Sequence, residues 1–176
     1  MIRSSLTLIV SVAALLSIAS CGGGGGGSNF KGAGRIDVSV SPSQVDLGDR
    51  VEVDVMIADA HPDGIFVKIR HPAALSYVAE SAVLEIDGDE FTINPSYIDT
   101  SDEDYSFLFF SLENSIFKNT DKAIIRFEAR ADTEVSGFGQ KGIGQIEADI
   151  DVLEDVTTSV QVEEFDVEDS AQIEVL

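Results

Sequence analysis

Few side chains in this 176-residue chain suit chemistry: it has two histidines, His61 and His71, one cysteine, Cys21, and no tryptophan. Each histidine precedes a proline in a turn-like segment, His61-Pro62-Asp63-Gly64 and His71-Pro72-Ala73. A paired metal site would need those two loops to meet, and no i, i+4 helical spacing supports one. Neither histidine lies near a Gly-x-Ser-x-Gly elbow, so a hydrolase ranks last among the functions weighed. The segment Asp99-Thr100-Ser101-Asp102-Glu103-Asp104, with Asp87 and Asp89 close in sequence, offers hard oxygen ligands for Ca²⁺. It lacks the residue order and the glycine of an EF-hand, and a solvated loop accounts for it. Gly137-Phe138-Gly139-Gln140-Lys141-Gly142 matches the dinucleotide fingerprint in letters only. That motif needs a helix to follow, so that the helix N-terminus meets the pyrophosphate, whereas Ile143 to Leu153 alternates as a strand. Carboxylate pairs are too numerous to single out a glycosidase, and without tryptophan a sugar-stacking platform is disfavoured.

Cys21 is the residue whose context carries most information. Arg3 gives a positive n-region, and Leu6 to Leu16 is an apolar run of signal-peptide length, too short to span a membrane. Leu16-Ser17-Ile18-Ala19-Ser20-Cys21 then resembles the lipobox of bacterial lipoproteins, in which small residues lie extended in the peptidase cleft and the thiol takes diacylglycerol as a thioether. The resemblance implies cleavage between Ser20 and Cys21 and acylation of the new amino terminus. Several acyl chains on one residue anchor firmly, at roughly 0.8 kcal/mol per buried methylene. Gly22 to Gly27, with Ser28 and Asn29, form a flexible tether. Gly22 stands where inner-membrane retention usually has aspartate, which implies the outer membrane in a Gram-negative source. The resulting division is a signal peptide over 1–20, a lipidated cysteine and linker over 21–34, and one domain over 35–176.

Charge narrows the partners. Lys+Arg 11 against Asp+Glu 32 gives a formal net charge of −21, and removing Arg3 with the leader leaves ten cations and about −22. Such a surface repels phosphate backbones, so nucleic acid is not a partner. Acids within strand-like segments, including Glu52, Asp54, Glu147, Asp149 and Asp151, read as a solvated sheet face. With the sole cysteine at the processing site, no disulfide can form within the chain.

The body reads as strands, since apolar residues recur at a spacing near two. Ile36, Val38 and Val40 alternate with polar residues, as do Val51, Val53, Val55 and Ile57. Ile65 to Arg70 forms the next strand, broken at His71 to Leu75 by a short helical turn. Tyr77 to Ile86 is mostly extended, and Asp87-Gly88 predicts a hairpin with Phe91 to Ile93. Asn94 to Asp104 is a loop. Phe107 to Phe110, apolar on both faces, belongs centrally in the core. Ala123 to Ala131, Gly142 to Leu153, Thr158 to Val162 and Gln172 to Leu176 complete an all-β, antiparallel β-sandwich of about nine strands, jelly-roll or immunoglobulin-like.

Within this pattern, Arg35 to Leu176 resembles cohesin-like domains. The matching features are the Leu47-Gly48-Asp49 turn before VEVDVMIADA, the Gly64-Ile65 opening of the third strand, the aromatic strand SFLFFSL, and AIIRFEA from Ala123. The chain departs where the family has a Tyr-Asp-Pro turn: Lys68-Ile69-Arg70-His71-Pro72 keeps only the proline. The resemblance implies a protein-binding face over Ile65 to Arg70, Ser106 to Leu112 and Gly144 to Ile150, with Phe66, Lys68, Arg70, Phe107 and Phe109 as candidate contacts. The expected function is therefore a non-enzymatic binding or structural module. It is tethered to the cell envelope through the lipid on Cys21, faces another exported or cell-surface protein, and uses no cofactor. The alternative is a calcium-dependent surface adhesin or ligand binder using the acidic loops.

Overall fold

The computed structural model describes residues 32–133, 136–137, 140–153 and 165–176. The leader, Cys21, the glycine tether and the strand expected over 158–162 lie outside the described residues. The regular elements are strands: β1 (Arg35–Ser41), β2 (Gln44–Val45), β3 (Arg50–Ala58), β4 (Gly64–Pro72), β5 (Leu75–Tyr77), β6 (Val83–Ile86) and β7 (Asp89–Thr92). They continue with β8 (Tyr97–Asp99), β9 (Tyr105–Glu113), β10 (Ala123–Ala131), β11 (Ser136–Gly137), β12 (Gln140–Lys141), β13 (Ile143–Val152) and β14 (Asp169–Val175).

Two six-stranded sheets result. The first runs β1-β3-β10-β6-β7 with β5 also on β10, and the second β2-β14-β13-β4-β9-β8; β11 and β12 make a separate ribbon. The β14–β2 pair is parallel and the other pairs are antiparallel. Alternation fixes which side of each strand faces inward, because a one-residue slip would turn every valine of β3 to solvent. Val51, Val53, Val55 and Ile57 are buried while Glu52 and Met56 are exposed. On the facing sheet Ile65, Val67, Ile69, Leu108, Phe110, Ile146 and Ile173 complete one continuous core with them. The architecture is a β-sandwich.

Three local expectations are corrected. No helical turn breaks the third strand at His71: β4 continues through Pro72, which pairs with Tyr105. A proline at a strand end removes no ladder bond that is needed further on, and the chain turns only after it, with the Ala73 amide donating to the Asp104 carbonyl. The loop expected over Asn94 to Asp104 contains β8, paired with β9 from Tyr97↔Phe109 to Asp99↔Phe107. The strand expected from Tyr77 to Ile86 divides into β5 and β6, with Glu80 at φ 63° between them. Short pairing segments such as β2, β5 and β8 are why the strands outnumber the nine expected, since two or three residues carry no readable alternation.

Candidate functional site

The strands β13, β4 and β9 are neighbours in the second sheet, and their outward side chains form one face. Register brings the five candidate residues together on it: Lys68 lies opposite Phe109, Arg70 opposite Phe107, and Phe66 two residues before Lys68 on the same side. Phe66 and Phe109 stack at 5.8 Å, and Phe107 and Phe109 at 6.3 Å. Tyr97 of β8 tilts onto Phe109 at 5.7 Å.

This face is not open. Phe66, Lys68, Phe107 and Phe109 are all under 7% exposed and, apart from the lysine, form a second apolar cluster with Tyr105, Leu153 and Phe165 packed against it. The segment 165–168 crosses the face. The Asp166 amide donates to Asp149 Oδ2 at 3.1 Å and the Glu168 amide to the Ala148 carbonyl at 3.0 Å. Phe165 meets Phe107 edge-on at 6.1 Å. The five residues therefore hold a cover in place rather than present themselves to solvent.

Beneath the cover the cations are paired with the acids of β13. Lys68 Nζ lies 2.5 Å from Asp149 Oδ2 and 2.7 Å from Asp151 Oδ2. Arg70 meets Glu147 at 2.6 Å through both Nε and Nη2. Its guanidinium lies between two rings, 4.8 Å from the centre of Tyr105 and 4.7 Å from that of Phe165. Burial acts to lower the Lys68 pKa, but the bonds from Asp149 and Asp151 outweigh it and hold the ammonium above its ordinary value. Burial pushes the Asp149 carboxyl up against the pull of Lys68, as expected when two carboxylates share one ammonium. Glu168 is raised as well, by burial and then by the charges of Asp149 and Asp151.

Glu147 and Asp149 thus correct the expectation that the strand acids form a solvated face: they are 5% and 3% exposed. The signal was present in Lys68 and Arg70, two of only 11 cations, alternating with Phe66 on one strand. A buried cation needs a buried partner.

The other candidates fall apart in space. His71 lies near the end of the nine-residue β4 and His61 in the turn before its start, so the strand holds them roughly 20 Å apart, which removes the paired metal site. In the acidic loop Asp99 Oδ1 accepts from the Ser101 amide, and Asp102 Oδ1 from the Asp104 and Tyr105 amides. Asp87 and Asp89 belong to the β6–β7 hairpin of the other sheet. Among the described residues no group of three or more His, Cys, Asp or Glu is placed to hold a metal ion. Gly137 and Gln140 pair in the β11–β12 ribbon and strand β13 follows, with no helix to receive a pyrophosphate; Phe138 and Gly139 lie outside the described residues.

No family model and no curated protein sequence matches the chain. Solved structures do. The N-terminal domain of an adhesin of Streptococcus gordonii is similar over 81% of this chain and 32% of its own, at 13% identity and a TM-score of 0.53. The T6 backbone pilin of Streptococcus pyogenes is similar over 80% of this chain and 35% of its own, at 10% identity and a TM-score of 0.50. A cohesin module from a Clostridium perfringens family 33 glycoside hydrolase aligns over 82% of this chain and 98% of its own, at 14% identity and a TM-score of 0.40. The chain spans about a third of the length of the first two. At such identities the likeness is one of fold.

Proposed function

We propose that this chain is a non-catalytic β-sandwich module, anchored to the cell envelope by lipid on Cys21, that binds or holds another exported protein. The observation that carries the reading is the covered face of β13, β4 and β9. Its aromatic cluster and paired cations fix a rigid platform whose margin leaves Tyr97 47% and Val167 48% exposed. Exposed apolar side chains rimmed by charge are what a protein partner uses. The leader and lipobox pattern support export and outer-membrane tethering. The adhesin and pilin domains that share the fold support a structural or adhesive role, and the cohesin-like pattern of Arg35 to Leu176 supports recognition through this same sheet. Phe66, Lys68, Arg70, Phe107 and Phe109 serve this role by positioning the rim.

The test is site-specific photocrosslinking on native membranes, with the crosslinker at Tyr97 and, as control, at Met56 on the opposite sheet. The expected result is one exported protein captured from Tyr97 and not from Met56, and lost in Cys21→Ala as the chain leaves the membrane fraction. Equal capture from both positions overturns the binding face, and a Cys21→Ala form that stays membrane-bound overturns the anchor.

A further inference from the structure

An open groove of about 450 Å³ lies between β8, at the outer edge of the second sheet, and β5 of the first. Ligand sites typically enclose roughly 300–1,000 Å³. Its walls are apolar where Leu75, Ile98 and Leu108 meet it, and Ile98, paired with Leu108 across β8 and β9, stands half-exposed at the mouth. The groove therefore enters the sandwich at the seam between its layers.

Two polar side chains that line it are Tyr77 and His71. The Tyr77 hydroxyl is buried and, among the described residues, has no hydrogen-bond partner, although its ring packs against Phe127 at 6.0 Å. His71, 1% exposed, brings Nδ1 to 3.0 Å from the Pro72 carbonyl oxygen. A carbonyl only accepts, so Nδ1 carries the proton and Nε2 of the neutral ring is an acceptor. Desolvation holds this imidazole below its ordinary pKa, opposed by the Pro72 bond, so the ring stays neutral at pH 7. Buried polar groups nearly always find partners, and one that has none beside an open groove marks where a ligand's polar atom belongs. Asp102 also lines the groove, and the net charge of −21 repels an anionic head group.

We propose that this groove binds a small, uncharged, largely apolar molecule carrying one hydroxyl, which accepts a hydrogen bond from Tyr77 and donates one to His71. The site is independent of the protein-binding rim and would operate with or without a partner.

The experiment is a methyl-resolved NMR titration of the mature chain with three probes: 1-octanol, octyl methyl ether, which accepts but does not donate, and octanoate, which is anionic. Octanol is expected to shift the Leu75, Ile98 and Leu108 methyls saturably, the ether to bind several-fold more weakly, and octanoate most weakly. Tyr77→Phe is expected to weaken octanol by about 3- to 10-fold, one neutral hydrogen bond, without lowering Tm. Ile98→Lys, a change at an exposed position, should abolish the shifts while the fold stays intact. The proposal is overturned by the absence of saturable shifts or by equal binding of the three probes. It is equally overturned by a Tyr77→Phe chain that loses Tm and keeps its affinity, since the hydroxyl would then serve the fold.

Discussion

At the scale of the residue, the buried ion triad decides how the second face behaves. Lys68 shares its ammonium between Asp149, 3% exposed, and Asp151, whose side chain is 47% exposed. Asp151 stays hydrated without the lysine, but Asp149 does not. Lys68→Met is therefore expected to destabilise the fold by about 3–5 kcal/mol, chiefly the cost of an unpaired buried carboxylate. Adding Asp149→Leu should restore half or more of that loss, because removing both charges leaves an apolar cluster continuous with Phe66 and Phe109. Restoration stays incomplete because the Asp166 amide loses its acceptor. Urea denaturation of the single and double variants measures both quantities. A Lys68→Met chain as stable as the parent would mean that the triad contributes nothing.

At the scale of the element, turns separate two kinds of glycine. Gly64 opens β4 at φ 99°, and a Cβ there would meet the Leu112 carbonyl oxygen at 2.7 Å and the Asn114 nitrogen at 3.0 Å. Gly88 closes the β6–β7 hairpin at φ 89° with nothing within 4 Å. Gly88→Ala should cost only the positive-φ penalty, about 1 kcal/mol, and Gly64→Ala about 2–4 kcal/mol because backbone must also move. Equal losses in paired denaturation curves would refute the close approach at Gly64. The same contrast explains what the sequence makes legible. Asp87-Gly88 announces its hairpin because local turn chemistry suffices, and the valines of β3 announce a half-buried strand. The strand β8 is silent: Tyr97-Ile98-Asp99 is too short to alternate and exists because β9 offers an edge. The candidate face was visible in Phe66, Lys68 and Arg70, but not its closure, because Phe165 lies 95 residues from Arg70 in the chain and no local pattern joins them.

At the scale of the molecule, charge and burial together set the response to pH. Asp149 and Glu168 have folded-state pKa values raised by burial. Their contribution is fully present below the ordinary carboxyl range and is lost as pH rises through the raised values, so acidification from neutrality stabilises the fold. Relief of repulsion in a chain of net charge −21 acts in the same direction. His71 opposes it. Its folded pKa is lowered by burial, so its neutral form favours folding above the ordinary imidazole value, and that contribution is lost as pH falls, at no more than about 1.4 kcal/mol per pH unit for one proton. Asp99, lowered by its bonds to Ser101, and Asp132, lowered first by Arg130, contribute above the ordinary carboxyl pKa and lose that contribution below it. Stability should therefore peak on the acid side of neutrality and fall below about pH 4. Raising salt from about 0.01 to 0.15 M, which shortens the Debye length from about 30 to 8 Å, should increase Tm at pH 7 more than at pH 5, where fewer charges repel. A His71→Gln chain should show a steeper rise in Tm between pH 7 and 5 than the parent, since the opposing contribution of the buried imidazole in that range is gone. Calorimetric scans of both chains across this range measure the difference, and parallel curves would mean that His71 takes up its proton in the folded chain as readily as in the unfolded one.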